Sequence, residues 1–455
     1  MRFIFSAVAL CVAALSLPTA AQTIFPLNRA EILAGSHFDF KVEFAGLVDP
    51  AQVKVTINGQ EYPKVLGQAA ELIAREDGKD FSSLLLRDAA INKPGRYLVT
   101  ASDGTNSKSV TWNVYATPSR RAAKNVILFI GDGFSIGHRT AARILSKGIE
   151  DGKYKGKLAM DEMPYMALLS TEGTDSIITN SEIEDATPAA MVAHTRRRSD
   201  YNDIVKMFYE SKIDVMMGGG SPNFLPKSKP GSKRSDDVDY IELFRRADYR
   251  LATTKAEMFA AAEDSRTTKL LGLYNTGNVD GALDLKFLKK GTVSKFPDQP
   301  DVPEELRAAL KVLSRNKNDF VLMVESARID KYSHSMDPER AIYDTIMLDD
   351  AVKQAKDWAA ANGSNTLILV TADHTHPVSV IGTVNDEAPG TEMRNKVDIY
   401  ADAGFPNYPA PDADGYPDRV DVSRRVRLVF GATPDYYETF RPYLDGENFP
   451  TIENA

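Results

Sequence analysis

Apolar and polar residues alternate in short runs over roughly residues 23–115, and turn residues separate the runs. Alternation is clear at residues 38–44, 53–57, 97–101 and 109–114. The second run ends at Asn58-Gly59, a pair typical of two-residue hairpin turns. Several short strands at this spacing predict a small all-β sandwich over residues 22–116. Since this region holds no cluster of ligand residues, we interpret it as an accessory domain, with carbohydrate or cell-wall binding as a weaker hypothesis.

A different pattern follows a linker of small and basic residues at 116–124. Continuous apolar runs lie at residues 125–130, 166–170, 320–324 and 366–371, with a shorter run at 215–217, as expected for strands buried on both faces. Helical periodicity alternates with these runs and is clearest over residues 338–361, between the N-cap residue Asp337 and Gly363. Residues 117–455 are therefore predicted to form a mostly parallel α/β sheet flanked by helices, with ligands beyond the carboxyl ends of the strands.

The first 21 residues have the pattern of a signal peptide. Arg2 precedes an apolar run over residues 3–17, and Pro18-Thr19-Ala20-Ala21 provides a small-residue cleavage site. The run is too short to cross a bilayer. The only cysteine, Cys11, lies inside it, so the predicted mature chain has no disulfide and is expected to be periplasmic or secreted.

Composition adds two limits. The 455 residues, 43% of them apolar, are enough for one large core and a small accessory domain. Acidic residues outnumber basic ones by 63 to 55, which gives a formal net charge of −8. This balance provides no basic surface for nucleic acid or for an anionic membrane.

Metal-ligand residues cluster at three predicted strand ends. Asp132 lies between two glycines after the first strand, although an aspartate there also suits a plain turn. Asp330 and His334 are four residues apart and share a face if the segment is helical, which suits zinc, although a solvated helix end has the same pattern. Two further groups of ligand residues directly follow apolar runs: Glu325, and the set Asp373, His374 and His376.

A fourth segment adds oxygen donors. Asp185 and Thr187 precede a predicted short helix, and hard oxygen ligands of this kind suit magnesium. The alternative is that Thr187 only caps the helix ahead of Pro188.

Together these segments resemble the alkaline phosphatase family over roughly residues 124–382. Residues 125–133 with 140–143 resemble the family's opening motif. The segment Asp185-Ala186-Thr187-Pro188, with His194 and Arg198 downstream, resembles its second block. The blocks at residues 324–334 and 371–376 resemble its third and fourth, in the family's order.

The resemblance implies a phosphate monoester hydrolase with two zinc ions and one magnesium ion, often dimeric. It implies that Asp132 bridges one zinc and the magnesium ion, and that Asp373 and His374 complete the ligation of that zinc. It implies that Asp330 and His334 hold the other zinc, with His376 as a partner of these ligands. It further implies that Glu325, Thr187 and Asp185 serve the magnesium ion, and that Arg198 clamps two phosphate oxygens.

The sequence departs from the family pattern at the nucleophile. The family carries its nucleophile, then a helix and a strand, between the first two blocks, but only residues 174–181 remain here. Parallel neighbours need a crossover of about a dozen residues or more. Ser176 and Ser181 are the candidate nucleophiles, and the alternative is that both are hydroxyls of a linker. The family's first zinc also takes a downstream histidine, whereas no histidine follows His376 in this sequence.

Three interpretations stay open at this point. The chain is an alkaline phosphatase, impaired by loss of the nucleophile segment; a metal-binding or surface-binding relative without catalysis; or another phosphotransfer or sulfate-ester enzyme of the same superfamily. The segment Asp185-Ala186-Thr187-Pro188 favours the alkaline phosphatases over that last class.

Overall fold

The computed structural model describes residues 22–78, 80–116, 123–150, 153–164, 176–195, 197–315, 319–363, 365–384, 397–398, 413–417 and 426–431. The chain divides into two compact units, residues 1–121 and 122–455. The predicted signal peptide and the apolar run at 166–170 lie outside the described residues.

The first unit consists of two small sheets. Its elements are the strands β1 (Thr23–Phe25), β2 (Ala30–Leu33), β3 (His37–Glu43), β4 (Lys54–Ile57), β5 (Gln60–Glu61), β6 (Glu71–Ile73), β7 (Ser83–Ala90), β8 (Gly95–Ser102) and β9 (Ser107–Tyr115), and the helix α1 (Tyr62–Leu66). One sheet has the order β1-β3-β7-β6 and the other β2-β9-β8-β4-β5. The strand pairs are antiparallel except for β2 with β9.

Both sheets contribute to one apolar core, as the alternating pattern predicts. Phe40 on β3 and Trp112 on β9 are fully buried, and their rings pack edge to face with centroids 5.9 Å apart. The hairpin at Asn58-Gly59 also forms, since Ile57 pairs with Gln60 and both turn residues have positive φ angles, 50° and 75°. The predicted all-β fold of this region is confirmed.

The second unit is an α/β structure. Its strands are β10 (Asn125–Gly131), β11 (Ile149–Glu150), β12 (Lys153–Tyr154), β13 (Ser176–Glu182), β14 (Val215–Gly219), β15 (Arg250–Ala252), β16 (Leu270–Leu273), β17 (Val321–Ser326), β18 (Thr366–Thr371), β19 (Val378–Val384), β20 (Val397–Asp398) and β21 (Val426–Phe430). Its helices are α2 (Ile136–Lys147), α3 (Ala186–Ala190), α4 (Tyr201–Ser211), α5 (Tyr240–Arg246), α6 (Lys255–Glu263), α7 (Val302–Leu313), α8 (Arg328–His334) and α9 (Pro338–Ala361).

Seven of these strands form one sheet in the order β15-β16-β14-β13-β17-β10-β18, and every pairing in it is parallel. The predicted parallel α/β fold is therefore confirmed. Helix α9 has the predicted bounds, and the Asp337 side chain caps it by accepting from the Arg340 N–H at 3.0 Å. A separate antiparallel sheet has the order β20-β19-β21.

The interpretation of residues 174–181 as a linker is wrong for most of that segment. Residues 176–182 form β13, which lies between β14 and β17 in the middle of the sheet. The first six residues of this strand are buried. The sequence Ser-Ile-Ile-Thr-Asn-Ser is only partly apolar, so its polar members must find partners inside the fold.

None of the described helices combines the length and the apolar composition that a membrane span requires.

Candidate metal centre

The strand register brings the predicted ligands to one edge of the parallel sheet. Glu325, near the end of β17, lies opposite Ile130 on β10 and opposite Thr179 on β13. Asp132 directly follows the last residue of β10, and Asp373 lies two residues beyond β18. Because neighbouring parallel strands end at the same edge, the separate sequence clusters form one site.

Three candidate ligands form what we call the inner triad: Asp330, His334 and His376, the last of which the resemblance gives only as a partner of the other two. One ligand atom from each residue lies within 4.8 Å of the others. The seven-residue helix α8 puts Asp330 and His334 one turn apart, as predicted, with His334 Nε2 3.3 Å from Asp330 Oδ1. His376 is 4% exposed, and its Nε2 is 2.7 Å from the same carboxylate oxygen. Its buried Nδ1 has no hydrogen-bond partner among the described residues.

Gly133 allows His376 to reach this position. The glycine has a φ of +65°, and a Cβ built there would lie only 2.5 Å from His376 Cδ2. The backbones also join, since the His376 N–H donates to the Gly133 carbonyl at 2.9 Å. A side chain at this glycine would be strained and would displace the imidazole.

A second set, the outer triad, contains Asp132, Asp373 and His374, again within 4.8 Å. Two backbone N–H groups, of Gly133 and His374, donate to Asp373 Oδ1 at 3.2 and 2.8 Å. His374 Nε2 lies 3.2 Å from Asp132 Oδ1 and also 3.2 Å from Asp330 Oδ1. The two triads therefore meet at the Asp330 carboxylate.

Oxygen donors gather beside the outer triad. The carboxylate of Glu325 is buried and accepts hydrogen bonds from Thr179 Oγ1, at 2.5 Å, and from the Thr187 hydroxyl. Burial raises the pKa of Glu325 to about 7, against the opposing effect of these two hydroxyls. An all-oxygen group of this kind suits magnesium, whereas the mixed carboxylate and imidazole triads suit zinc.

The charge balance of the centre favours bound cations. Burial, together with the carboxylates of Glu325, Asp330 and Asp373, raises the pKa of Asp132 to about 10. Nearby negative charges disfavour ionisation of a buried acid, and a divalent cation among them reverses that effect. The donor set therefore fits the metal ions that the sequence predicts.

Basic side chains flank Asp185. Its carboxylate contacts Lys331 Nζ at 2.5 Å and Arg198 Nη2 at 2.8 Å. Burial by itself would raise the pKa of Asp185, but the two cations outweigh it and hold the pKa at about 2. Asp185 also caps α3 by accepting from the Ala186 N–H at 2.8 Å, so the interpretation of Thr187 as the capping residue is wrong.

The two candidate nucleophiles lie in β13, away from these contacts. Ser176 is the first residue of β13 and lies opposite Leu322, three residues before Glu325. At about 3.3 Å per residue, this places Ser176 about 10 Å short of the Glu325 position along the sheet. Ser181 lies nearer the edge, but its hydroxyl donates to the Glu182 carbonyl at 2.9 Å. The described contacts do not bring either serine to the triads.

Sequence reasoning missed Thr179 and gave no role to Lys331. No local pattern marks Thr179, and only the strand register shows that it lies opposite Glu325. Lys331 follows the predicted ligand Asp330, but only the fold shows that it turns towards Asp185, 146 residues earlier in the chain.

Comparison with known proteins identifies the family of this chain. The family model for alkaline phosphatase matches residues 123–182 and 175–406, so the chain belongs to the alkaline phosphatase family. The two matched segments overlap at residues 175–182, and this overlap includes β13. It is the same part of the chain in which the sequence is shorter than the family pattern.

The chain is similar to curated members of that family. It is 28% identical to the alkaline phosphatase of Escherichia coli over 365 residues, covering 62% of this chain and 76% of the relative. It is 26% identical to alkaline phosphatase H of Pseudomonas aeruginosa over 398 residues, covering 70% and 81%. Among solved structures, the alkaline phosphatase of an Antarctic bacterium aligns with a TM-score of 0.48 and 18% identity, covering 68% of this chain and 91% of that one.

Proposed function

We propose that this chain is a metal-dependent phosphate monoester hydrolase with two zinc ions and one magnesium ion, and that its activity is low for its family. The observation that carries the proposal is the meeting of the two triads at the Asp330 carboxylate, on the carboxyl edge of the parallel sheet. Family membership gives the phosphatase class, and the donor chemistry suggests the ions.

Each ion has its own group of residues in this proposal. The inner triad holds one zinc, and the outer triad holds the other. Asp132 (shared with the outer triad), Thr187 and Glu325 would hold the magnesium ion, with Asp185 acting through water. Bound ions of this kind supply Lewis-acid stabilisation of the charge on phosphoryl oxygens.

Arg198 is proposed to orient the phosphate group. Its side chain is 68% exposed while one nitrogen is held by Asp185, so the rest of the guanidinium can reach a ligand. A planar guanidinium binds two phosphate oxygens at once, which a lysine cannot do. Lys331 fixes the other oxygen of Asp185 and so keeps the arginine in place.

The positions of Ser176 and Ser181 are the reason to expect low activity. A nucleophile needs to lie close to the reacting phosphorus, at about 3 Å. Ser176 lies at the amino end of β13, and the Ser181 hydroxyl is engaged by the backbone.

The first test is hydrolysis of a chromogenic phosphate monoester at alkaline pH with added zinc and magnesium, beside an Asp373→Ala control. We expect slow hydrolysis that the control lacks, because Asp373 is a ligand of the outer triad. Equal rates in the two proteins would refute the proposal.

Phosphate labelling then identifies the nucleophile. The chain is incubated with phosphate at low pH and digested, and the peptides that contain Ser176 and Ser181 are analysed by mass spectrometry. A phosphoserine at either position would identify the attacking residue. Hydrolysis without labelling of either serine would assign the attack to another oxygen.

A second candidate function is metal binding without catalysis. It is favoured by the register of β13, which places Ser176 opposite Leu322, three residues before Glu325 on β17, and so away from the candidate ligands. It predicts stoichiometric zinc binding together with hydrolysis no faster than in Asp373→Ala. A chromogenic sulfate ester in the same assay tests the remaining alternative, a sulfate-ester enzyme of the same superfamily.

We also propose a periplasmic or secreted location, which cell fractionation tests, and a homodimer, which light scattering tests.

The first unit is proposed to be an accessory domain that binds a surface such as cell-wall carbohydrate. A pull-down of the chain by isolated cell walls, compared with residues 122–455 of the chain alone, tests that role.

A further inference from the structure

Asn180 is a buried polar residue that is not one of the candidate metal ligands. It is 1% exposed on β13, beside β17. Its Nδ2 donates to Asp344 Oδ1 at 2.9 Å. Its Oδ1 accepts from the backbone N–H groups of Ala327 and Arg328, at 2.8 and 3.2 Å. These partners allow only one orientation of the amide, because the carboxylate needs a donor and the N–H groups need an acceptor.

The two N–H groups belong to the start of α8. Ala327 is the N-cap residue of that helix, and its methyl side chain makes no capping hydrogen bond. The first N–H groups of a helix lack partners within the helix, so Asn180 supplies from β13 the acceptor that the cap residue lacks. Asp330 and His334 lie on the same seven-residue helix, so its start sets their position.

Asp344 fixes the other side of the amide. It lies on α9, is fully buried, and accepts from the Ala282 N–H at 3.1 Å through Oδ2. The neighbouring Gly281 approaches closely, since a Cβ there would lie 2.4 Å from Asp344 Oδ2. The carboxylate is thus held between the amide and the 281–282 backbone and cannot shift without losing a partner.

We propose that Asn180 and Asp344 form a positioning pair that sets the inner triad by anchoring the start of α8. Neither residue is placed in contact with the metal ions. Their effect passes through Ala327 and Arg328 to Asp330 and His334. This role rests on the proposed metal binding of the inner triad.

The test exchanges the amide and the carboxylate. Asn180→Asp alone sets two carboxylates against each other, and Asp344→Asn alone turns an NH2 group towards either another NH2 or the Ala282 N–H. The double variant restores every hydrogen bond: the new carboxylate at position 180 accepts from the two backbone groups and from the new amide at position 344. The oxygen of that new amide accepts from Ala282.

Zinc affinity is measured by competition with a chromophoric chelator, in full-length chain that carries Asp373→Ala so that the inner triad dominates. Loss of a residue that supports a metal ligand weakens binding by about 10–100-fold. We expect each single variant to weaken zinc binding by about tenfold or more, and the double variant to return to within about threefold of the parent.

A matched series in a His334→Ala background reports on the outer triad, and we expect the Asn180 and Asp344 variants to leave zinc binding there unchanged. Equal losses in both backgrounds, or a double variant no better than the singles, would refute the positioning role. So would single variants that match the parent in affinity.

A parent chain that binds no zinc would instead refute the metal centre, and the positioning role with it. Hydrogen exchange separates the two failures, because the amides of Ala327 and Arg328 should exchange faster in both single variants and recover in the double variant. Exchange that follows this pattern without zinc binding would show an intact anchor and a failed centre.

Discussion

The inner and outer triads use similar ligands in different surroundings. In the inner triad Asp330 is 8% exposed and His376 is 4% exposed, and the rings of His334 and His376 pack edge to face with centroids 4.8 Å apart. In the outer triad the side chain of His374 is 51% exposed. The inner ligands are therefore held by packing, whereas the outer ligands sit at the ends of strands.

The supports of the two triads differ in the same way. Helix α8 is anchored at its start by Asn180 and near its end by His138, whose Nε2 lies 2.9 Å from Ser333 Oγ. The outer triad depends on backbone N–H groups that hold Asp373. Preorganised ligands lose less conformational freedom on binding, so the inner triad should bind zinc more tightly than the outer triad.

Replacing Asp330 should have the largest effect, because it removes the carboxylate that both triads contact. In Asp330→Ala we expect hydrolysis to fall at least about a hundredfold and zinc stoichiometry to drop at both triads. Metal analysis after dialysis checks the stoichiometry, and the chromogenic assay checks the rate.

Asp373→Ala is the matched comparison, since it removes a carboxylate that belongs to one triad only. That variant should keep zinc at the inner triad. If both aspartate variants lose the same amount of zinc, the two triads are not separate sites.

Replacing His376 tests whether the inner triad has three ligands. His376 Nε2 lies 2.7 Å from Asp330 Oδ1. If His376 is a third ligand, His376→Ala is expected to weaken zinc binding at the inner triad by more than the roughly 10–100-fold that loss of a supporting partner costs. His334→Ala should do the same. A much smaller effect of His376→Ala would reduce this residue to a hydrogen-bond partner of Asp330.

The fold followed from the sequence wherever a periodic pattern was strong. Alternation predicted the strands of the first unit. The continuous apolar runs predicted β10, β17 and β18, and the candidate ligands follow these runs in the sequence. Residues 176–182 were missed because five of the seven residues of β13 are polar, and the buried Thr179 and Asn180 are tolerated in the sheet only through long-range partners. Thr179 finds Glu325, and Asn180 finds Asp344. No local pattern can show such partners.

The gathering of the candidate ligands at one edge was predictable for a related reason. Strand ends of a parallel sheet meet at one edge, so ligands that follow separate strands could be brought together by topology alone. What the sequence could not give is the contact between the triads. The 3.2 Å separation of His374 Nε2 and Asp330 Oδ1 joins residues 44 positions apart and depends on how the loop after β18 turns.

Removing the Thr179 hydroxyl tests the oxygen-donor group beside the outer triad. Thr179→Val keeps the shape of the side chain and leaves Glu325 without one donor, which is expected to cost about 1–3 kcal/mol in the free energy of unfolding. The magnesium concentration that gives half-maximal hydrolysis should rise about tenfold, whereas the affinity of the inner triad for zinc should not change. A magnesium titration of hydrolysis, with calorimetric zinc binding as the control, checks both. Thr187→Val is the comparison, because Thr187 is a proposed ligand and its loss should weaken magnesium activation further.

The smallest effect is expected at Asp161, an ion-pair site with no role in either triad. Its carboxylate accepts from Arg139 Nε at 2.6 Å, from two nitrogens of Arg143 at 2.5 and 2.7 Å, and from the Leu158 N–H at 3.0 Å. Burial would raise the pKa of Asp161, but the hydrogen bonds from Arg143, Leu158 and Arg139 outweigh it and lower the pKa to about 2.

A carboxyl group whose pKa is lower in the folded chain than in the unfolded chain stabilises the fold above the unfolded value, about 3.9, and this contribution is lost as the pH falls towards 2. We expect Asp161→Asn to lower the free energy of unfolding by about 1 kcal/mol at pH 7, after screening of the partly exposed pair, and by less at pH 3. Urea unfolding at the two pH values measures the difference, and zinc binding at both triads should match the parent. If the free energy of unfolding falls equally at both pH values, the negative charge of Asp161 contributes nothing, and only its ability to accept hydrogen bonds matters.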